Sequence, residues 1–80
     1  MAGTMTIFHT AEELLAHVKA AKPTGDRFEL AIADSFTFRG KPDVMGMGMA
    51  IVLDAILAHG FGPDGFEQHS GYRVYRYKPL

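Results

Sequence analysis

The sequence predicts a small two-layer α+β domain, two helices packed on an antiparallel sheet, and three stretches carry that reading. Residues 10–23 repeat apolar side chains at helical spacing, and residues 27–40 alternate apolar with polar ones. The chain then closes on an aromatic-basic alternation, GYRVYRYKPL. Eighty residues make one domain, near the lower limit of what folds without staples. Cysteine is absent, so neither a disulfide framework nor a thiolate metal site is available. A hydrophobic core must hold the fold, and 48% apolar residues including six Phe suffice to build one.

Residues 1–4 show no structural pattern and read as a disordered N-terminal segment or tag ahead of a single domain spanning 5–80. MTIF, residues 5–8, has the composition of a short strand. In TAEELLAHVKAAKP, Thr10 and Glu13 stand at capping-box spacing, so the hydroxyl can accept from an orphan helix N–H. Ala11, Leu14, Leu15, Val18 and Ala21 then define one helical face. Lys19 and Lys22 suit the negative end of the helix dipole, and Pro23 with Gly25 stops the helix.

RFELAIADSFTFRG, residues 27–40, is extended, with Phe28, Leu30 and Ile32 on one face. Asp34–Ser35 admits two short strands joined by a turn. One longer bent strand is the competing reading, since the dipeptide lacks the Gly that two-residue hairpins favour. KPDVMGMGMAIVLDAILAHG forms the second helix, expected to start at Asp43 as N-cap and to end at Gly60. It is apolar nearly all round, which requires burial on more than one side or a partner. FGPDG reads as a turn cluster, and FEQH with YRVYRY as a hairpin through Ser70–Gly71. The element order is compatible with a ferredoxin-like β-α-β-β-α-β fold.

Net charge is −1, an argument against a general nucleic-acid binder. The charge is unevenly placed. Residues 71–80 hold Arg73, Arg76 and Lys78 with no acid, whereas the first seventy hold five bases and nine acids. The N-terminus lacks the basic and apolar regions of a signal peptide. No apolar run approaches the roughly 20 residues of a membrane span, so a soluble cytoplasmic protein without membrane association is expected.

GMGM invites comparison with a dinucleotide-binding glycine loop. Gly46 and Gly48 fit two of its positions, but Ile51 occupies the third, and the chain has no room for the rest of such a domain. Close packing is the preferred account, with Met45, Met47 and Met49 filling irregular space. His9, His17, His59 and His69 include no H-x-x-x-H pair, so neither metal nor cofactor is expected. A small enzyme joining His59 or His69 to Asp54, Asp64 or Glu67 is the weakest of three functional readings. Asp54 itself is expected on the wet stripe of its helix.

In the last strand, Tyr72 and Val74 are expected to face the core, continuing from Phe66, with Arg76 on the same side snorkelling at the edge. Arg73, Tyr75 and Tyr77 would then point outward. That outward combination suits stacking on single-stranded RNA or DNA, the second reading. The first is a non-enzymatic binding module acting through a protein partner or homodimer, at Arg73, Tyr75, Arg76, Tyr77 and Lys78 together with Met45 and Met49. Compact acidic α+β proteins of this kind occur as bacterial accessory or phage-encoded inhibitory proteins, an analogy at the level of fold alone.

Overall fold

A computed structural model describes residues 6–20 and 25–80. The expected N-terminal segment 1–4, Met5 of the first strand, and Ala21, Lys22 and Pro23 of the first helix lie outside the described residues. The elements run β1 (Ile7–Thr10), α1 (Ala11–Ala20), β2 (Phe28–Phe38), β3 (Lys41–Pro42), α2 (Met47–Ala58), β4 (Phe61–His69) and β5 (Tyr72–Pro79). Two helices thus pack on a mostly antiparallel sheet of order β1-β2-β5-β4, with β3 paired to β2. The order matches β-α-β-β-α-β through β4 and adds β5. Because β1 and β2 are direct parallel neighbours, no strand splits the first βαβ unit, as it would in a ferredoxin-like sheet.

α1 begins as its capping pair dictates, with the Glu13 backbone N–H donating to Thr10 Oγ1 at 3.1 Å. β2 is one long strand rather than two. Its pairing with β1 slips between Phe8↔Ile32 and Thr10↔Thr37, so Asp34–Ser35 lies in an irregularity and not in a turn. The Arg39 backbone N–H donates to Glu12 Oε2 at 3.0 Å, tying the β2–β3 turn to the first turn of α1.

α2 starts at Met47 with Gly46 as its N-cap, three residues later than expected, so Asp43 is not the N-cap by position. Its carboxylate nevertheless does that work, accepting from the N–H groups of Gly48 at 3.0 Å and Met49 at 3.1 Å. Gly46 makes this entry feasible because φ there is 73°, a left-handed conformation that a Cβ penalises. Gly48 has a different role. A Cβ at that position would lie 2.9 Å from the Cβ atoms of both Ala11 and Phe38, so glycine permits the closest approach of α2 to α1 and β2. The two glycines of GMGM are thereby explained by backbone and packing.

The core joins α1, α2 and one face of the sheet through Leu14, Val18, Leu30, Ile32, Val52 and Ile56. Phe28 packs against it half-buried. Ile51 does not join it: 39% exposed, it lies on the outer face of α2, whose inward stripe is Gly48, Val52 and Ile56 at four-residue spacing. FGPDG, expected as a turn, forms the first half of β4. Phe61 pairs with Pro79, and the pairing slips between Pro63 and Phe66. Ser70–Gly71 makes the hairpin turn as expected, leaving His69 opposite Tyr72.

Candidate interaction site

The register of β5 against β2 decides which way the aromatic-basic strand faces. Phe28 pairs with Tyr77, Leu30 with Tyr75 and Ile32 with Arg73. Directly opposed residues share a face, and Phe28, Leu30 and Ile32 line the helix side. Tyr75 and Tyr77 therefore point toward the helices, the reverse of the orientation expected from the strand alone. Two aromatic rings cover more of the core than Val74 and the stem of Arg76 would, which favours this phase. Tyr77 is only 3% exposed and stacks on Phe28 at 5.0 Å, while Phe28 meets Phe61 edge-on at 5.1 Å. Burial pushes the Tyr77 phenol up to about 12, and the nearby Tyr75 adds to the rise.

Val74 is buried on the opposite face, beside Ala31. Arg76 shares that face and is ion-paired to Glu29 at 3.6 Å and to Glu67. Lys78 pairs with Asp64 at 3.7 Å, and Arg27 approaches the same carboxylate at 3.9 Å. Two of the three bases in the C-terminal stretch are thus neutralised locally. The expected row of Arg73, Tyr75 and Tyr77 standing exposed together does not form.

Arg73 behaves differently. Its Nε donates to Gln68 Oε1 at 2.7 Å and its Nη1 to the Tyr75 hydroxyl at 3.3 Å. The guanidinium lies over the Phe66 ring, 5.7 Å from the centroid. Gln68 is anchored in turn, its Nε2 donating to Asp34 Oδ1 at 3.1 Å and to the carbonyls of His69 and Tyr72. Among the described residues Arg73 makes no ion pair. It is a fixed cation with its outer N–H groups turned to solvent.

Arg73 stands in a groove between the start of α2 and the β4–β5 hairpin. One section, about 660 Å³, is lined by Val44, Met45, Met49, Arg73 and Tyr75 among others. A second, about 290 Å³, is lined by Met49, Leu53, Pro63, Phe66 and Tyr75 among others. Gly46, Met49 and Tyr75 line both, so the two sections adjoin. Val44 and Met45 at its mouth are 85% and 83% exposed, and Phe66 is 55% exposed. Phe66, expected to continue the core face of the hairpin, instead stacks on Tyr75 at 5.4 Å, out beyond the cover of the helices.

The structure accordingly brings Met45, Met49, Arg73 and Tyr75 into one groove, whose second section Arg76 and Tyr77 also line; Arg76 and Lys78 are engaged in ion pairs and Tyr77 belongs to the core. Sequence reasoning missed Val44, Phe66 and Gln68. The slip in β4 puts Phe66 opposite Tyr75, and Gly65 just before it was the available signal.

The histidines are dispersed. His17 packs near Phe8 at 5.0 Å, His59 closes α2, and His69 stacks on Tyr72 at 4.9 Å with Nε2 3.4 Å from Glu67. Among the described residues no three His, Asp or Glu side chains converge as metal ligands would. Asp54 is exposed, as expected. No helix among the described residues is long and apolar enough to cross a membrane. Compared with protein-family models, curated proteins and solved structures, the chain matches none.

Proposed function

We propose that this domain is a non-enzymatic binding module that acts through a protein contact, made at the groove between α2 and the β4–β5 hairpin. The observation that carries this reading is the gathering of exposed Val44, Met45 and Phe66 around one rigidly held arginine. Such a surface has the composition of an interface centre: aromatic rings, methionine and arginine are enriched there and other charges are scarce. Methionine adapts its shape to a partner at small cost. Exposed apolar groups grouped in this way lose water on docking, which scattered ones cannot do together.

The same Phe66–Tyr75 pair beside Arg73 offers a stacking platform, which is what favours single-stranded nucleic acid as a second reading. The charge balance weighs against it. Arg76 and Lys78 are already paired, so a phosphate backbone, which takes a row of cations, would find Arg73 alone.

The test compares wild-type protein with Met45→Glu and Phe66→Glu in affinity capture from the native cells, with and without nuclease. A protein contact that survives nuclease and is lost in both variants is the expected result. Capture abolished by nuclease, together with low-salt binding of a short single strand that Tyr75→Ala weakens, would replace this reading with the nucleic-acid one.

A further inference from the structure

Besides the groove, the chain has a second exposed apolar surface, the outer face of α2. α2 buries Gly48, Val52 and Ile56 and turns Met47, Ala50, Ile51, Leu57 and Ala58 outward. Met47 is 59% exposed, while Ile51 and Leu57 are each 39% exposed. The helix carries a single charge in its twelve residues, Asp54, and that carboxylate is on the exposed side. Among the described residues Asp54 forms no ion pair. One surface is thus apolar with one unmatched carboxylate. The groove carries one guanidinium that forms no ion pair among the described residues, and of its two carboxylates Asp43 accepts from the N–H groups of α2 and Asp34 from Gln68.

We infer that the occupant of the groove is a second copy of the chain, docked through the outer face of α2 so that Asp54 of each copy meets Arg73 of the other. This rests on the proposed protein-contact role of the groove and names the partner. The two surfaces are contiguous, since Met49, Ala50 and Leu53 of α2 form the groove wall and Ala50 is also exposed beside Met47 and Ile51. Crossing two α2 helices antiparallel brings the C-terminal half of each, with Asp54, to the N-terminal half of the other, where the groove opens. A two-fold axis makes both pairs at once and closes the assembly as a dimer. The fork is prepared for this. Nε and one N–H of Nη1 are engaged by Gln68 and Tyr75, which leaves Nη1 and Nη2 to receive a carboxylate end-on.

A stable interface takes about 800 Å² from each partner, roughly 15% of the 5344 Å² surface of this chain. A helix of twelve residues is about 18 Å long, so the outer face of α2 supplies one part of such an area and the groove and its rim must supply the rest.

Sedimentation velocity over a wide concentration range tests the inference with wild type, Arg73→Glu, Asp54→Arg and a one-to-one mixture of the two variants. Both positions are exposed, and circular dichroism verifies that each variant is folded. Wild type is expected to dimerise, and each single reversal to weaken the dimer about tenfold or more, because each sets like charges together. The mixture is expected to recover, because opposite charges then face one another at both contacts. A wild type that stays monomeric throughout, reversals that leave the dimer unchanged, or a mixture no tighter than its components would each overturn it. Were wild type monomeric while Met45→Glu still abolished nuclease-resistant capture, the self-association would be lost and the protein-contact reading would stand.

Discussion

Tyr77 stacks face to face on Phe28 across the β2–β5 ladder, ring centroids 5.0 Å apart and planes 18° from parallel. With 3% of its surface exposed, the tyrosine is part of the core and not of a recognition stripe. Burial raises its phenol to about 12, against about 10 for an exposed tyrosine. Below pH 10 both folded and unfolded chains carry the proton, so full stability is present there. Above it the unfolded phenol ionises first, and stability falls as pH rises through about 10 to 12, by about 2–3 kcal/mol at most. Tyr77→Phe should remove that part of the alkaline loss. Urea midpoints at a series of alkaline pH values check it, and parallel curves for the two proteins would show that Tyr77 ionises in the folded state as freely as in the unfolded one.

Gly48→Ala sets two effects against each other. Alanine favours a helix interior by about 1 kcal/mol over glycine. The new methyl would meet two Cβ atoms at 2.9 Å, one from α1 and one from β2, neither of which can swing aside as a side-chain tip can. Overpacking of this kind costs roughly 1–3 kcal/mol, so a net loss of stability is expected. A more stable Gly48→Ala protein would mean that the two helices separate easily.

Asp43→Ala should destabilise the fold by about 0.5–2 kcal/mol, since the N–H groups of Gly48 and Met49 both lose their acceptor. Asp43→Asn keeps an acceptor oxygen and should lose less. Equal losses in chemical denaturation for the two substitutions would assign the effect to charge rather than to the cap.

Leu30→Ala and Ile51→Ala form a paired test of the packing. Leu30 is buried on the core face of β2, and its truncation should cost on the order of 2–5 kcal/mol, enough to unfold a domain this small. Ile51, on the outer face of α2, should cost under about 1 kcal/mol in dilute, monomeric protein. Comparable losses at the two sites would mean that α2 turns a different face to the sheet.

The capping pair Thr10–Glu13, the apolar face of α1, the core face of β2 and the Ser70–Gly71 turn could all be read from the chain because each depends on neighbours a few residues away. Thr10 reaches the N–H of a residue three positions on, and alternation along β2 marks Phe28, Leu30 and Ile32 as the helix-facing side, although Ala31 and Ala33 on the other face are buried as well. The orientation of β5 was of another kind. YRVYRY offers apolar and amphipathic side chains on both faces, so the choice fell to the partner strand. Phe28, Leu30 and Ile32 stand opposite Tyr77, Tyr75 and Arg73, and a shift of one residue in that register would have exchanged the faces. The start of α2 was likewise decided from outside the helix, where Gly48 must pass between Ala11 and Phe38 while Asp43 reaches forward to cap it. The groove that unites Met45 and Met49 with Arg73 and Tyr75 follows from both events. Positions almost thirty residues apart meet only when strand pairing and helix packing are settled together, and no periodicity within either segment carries that information.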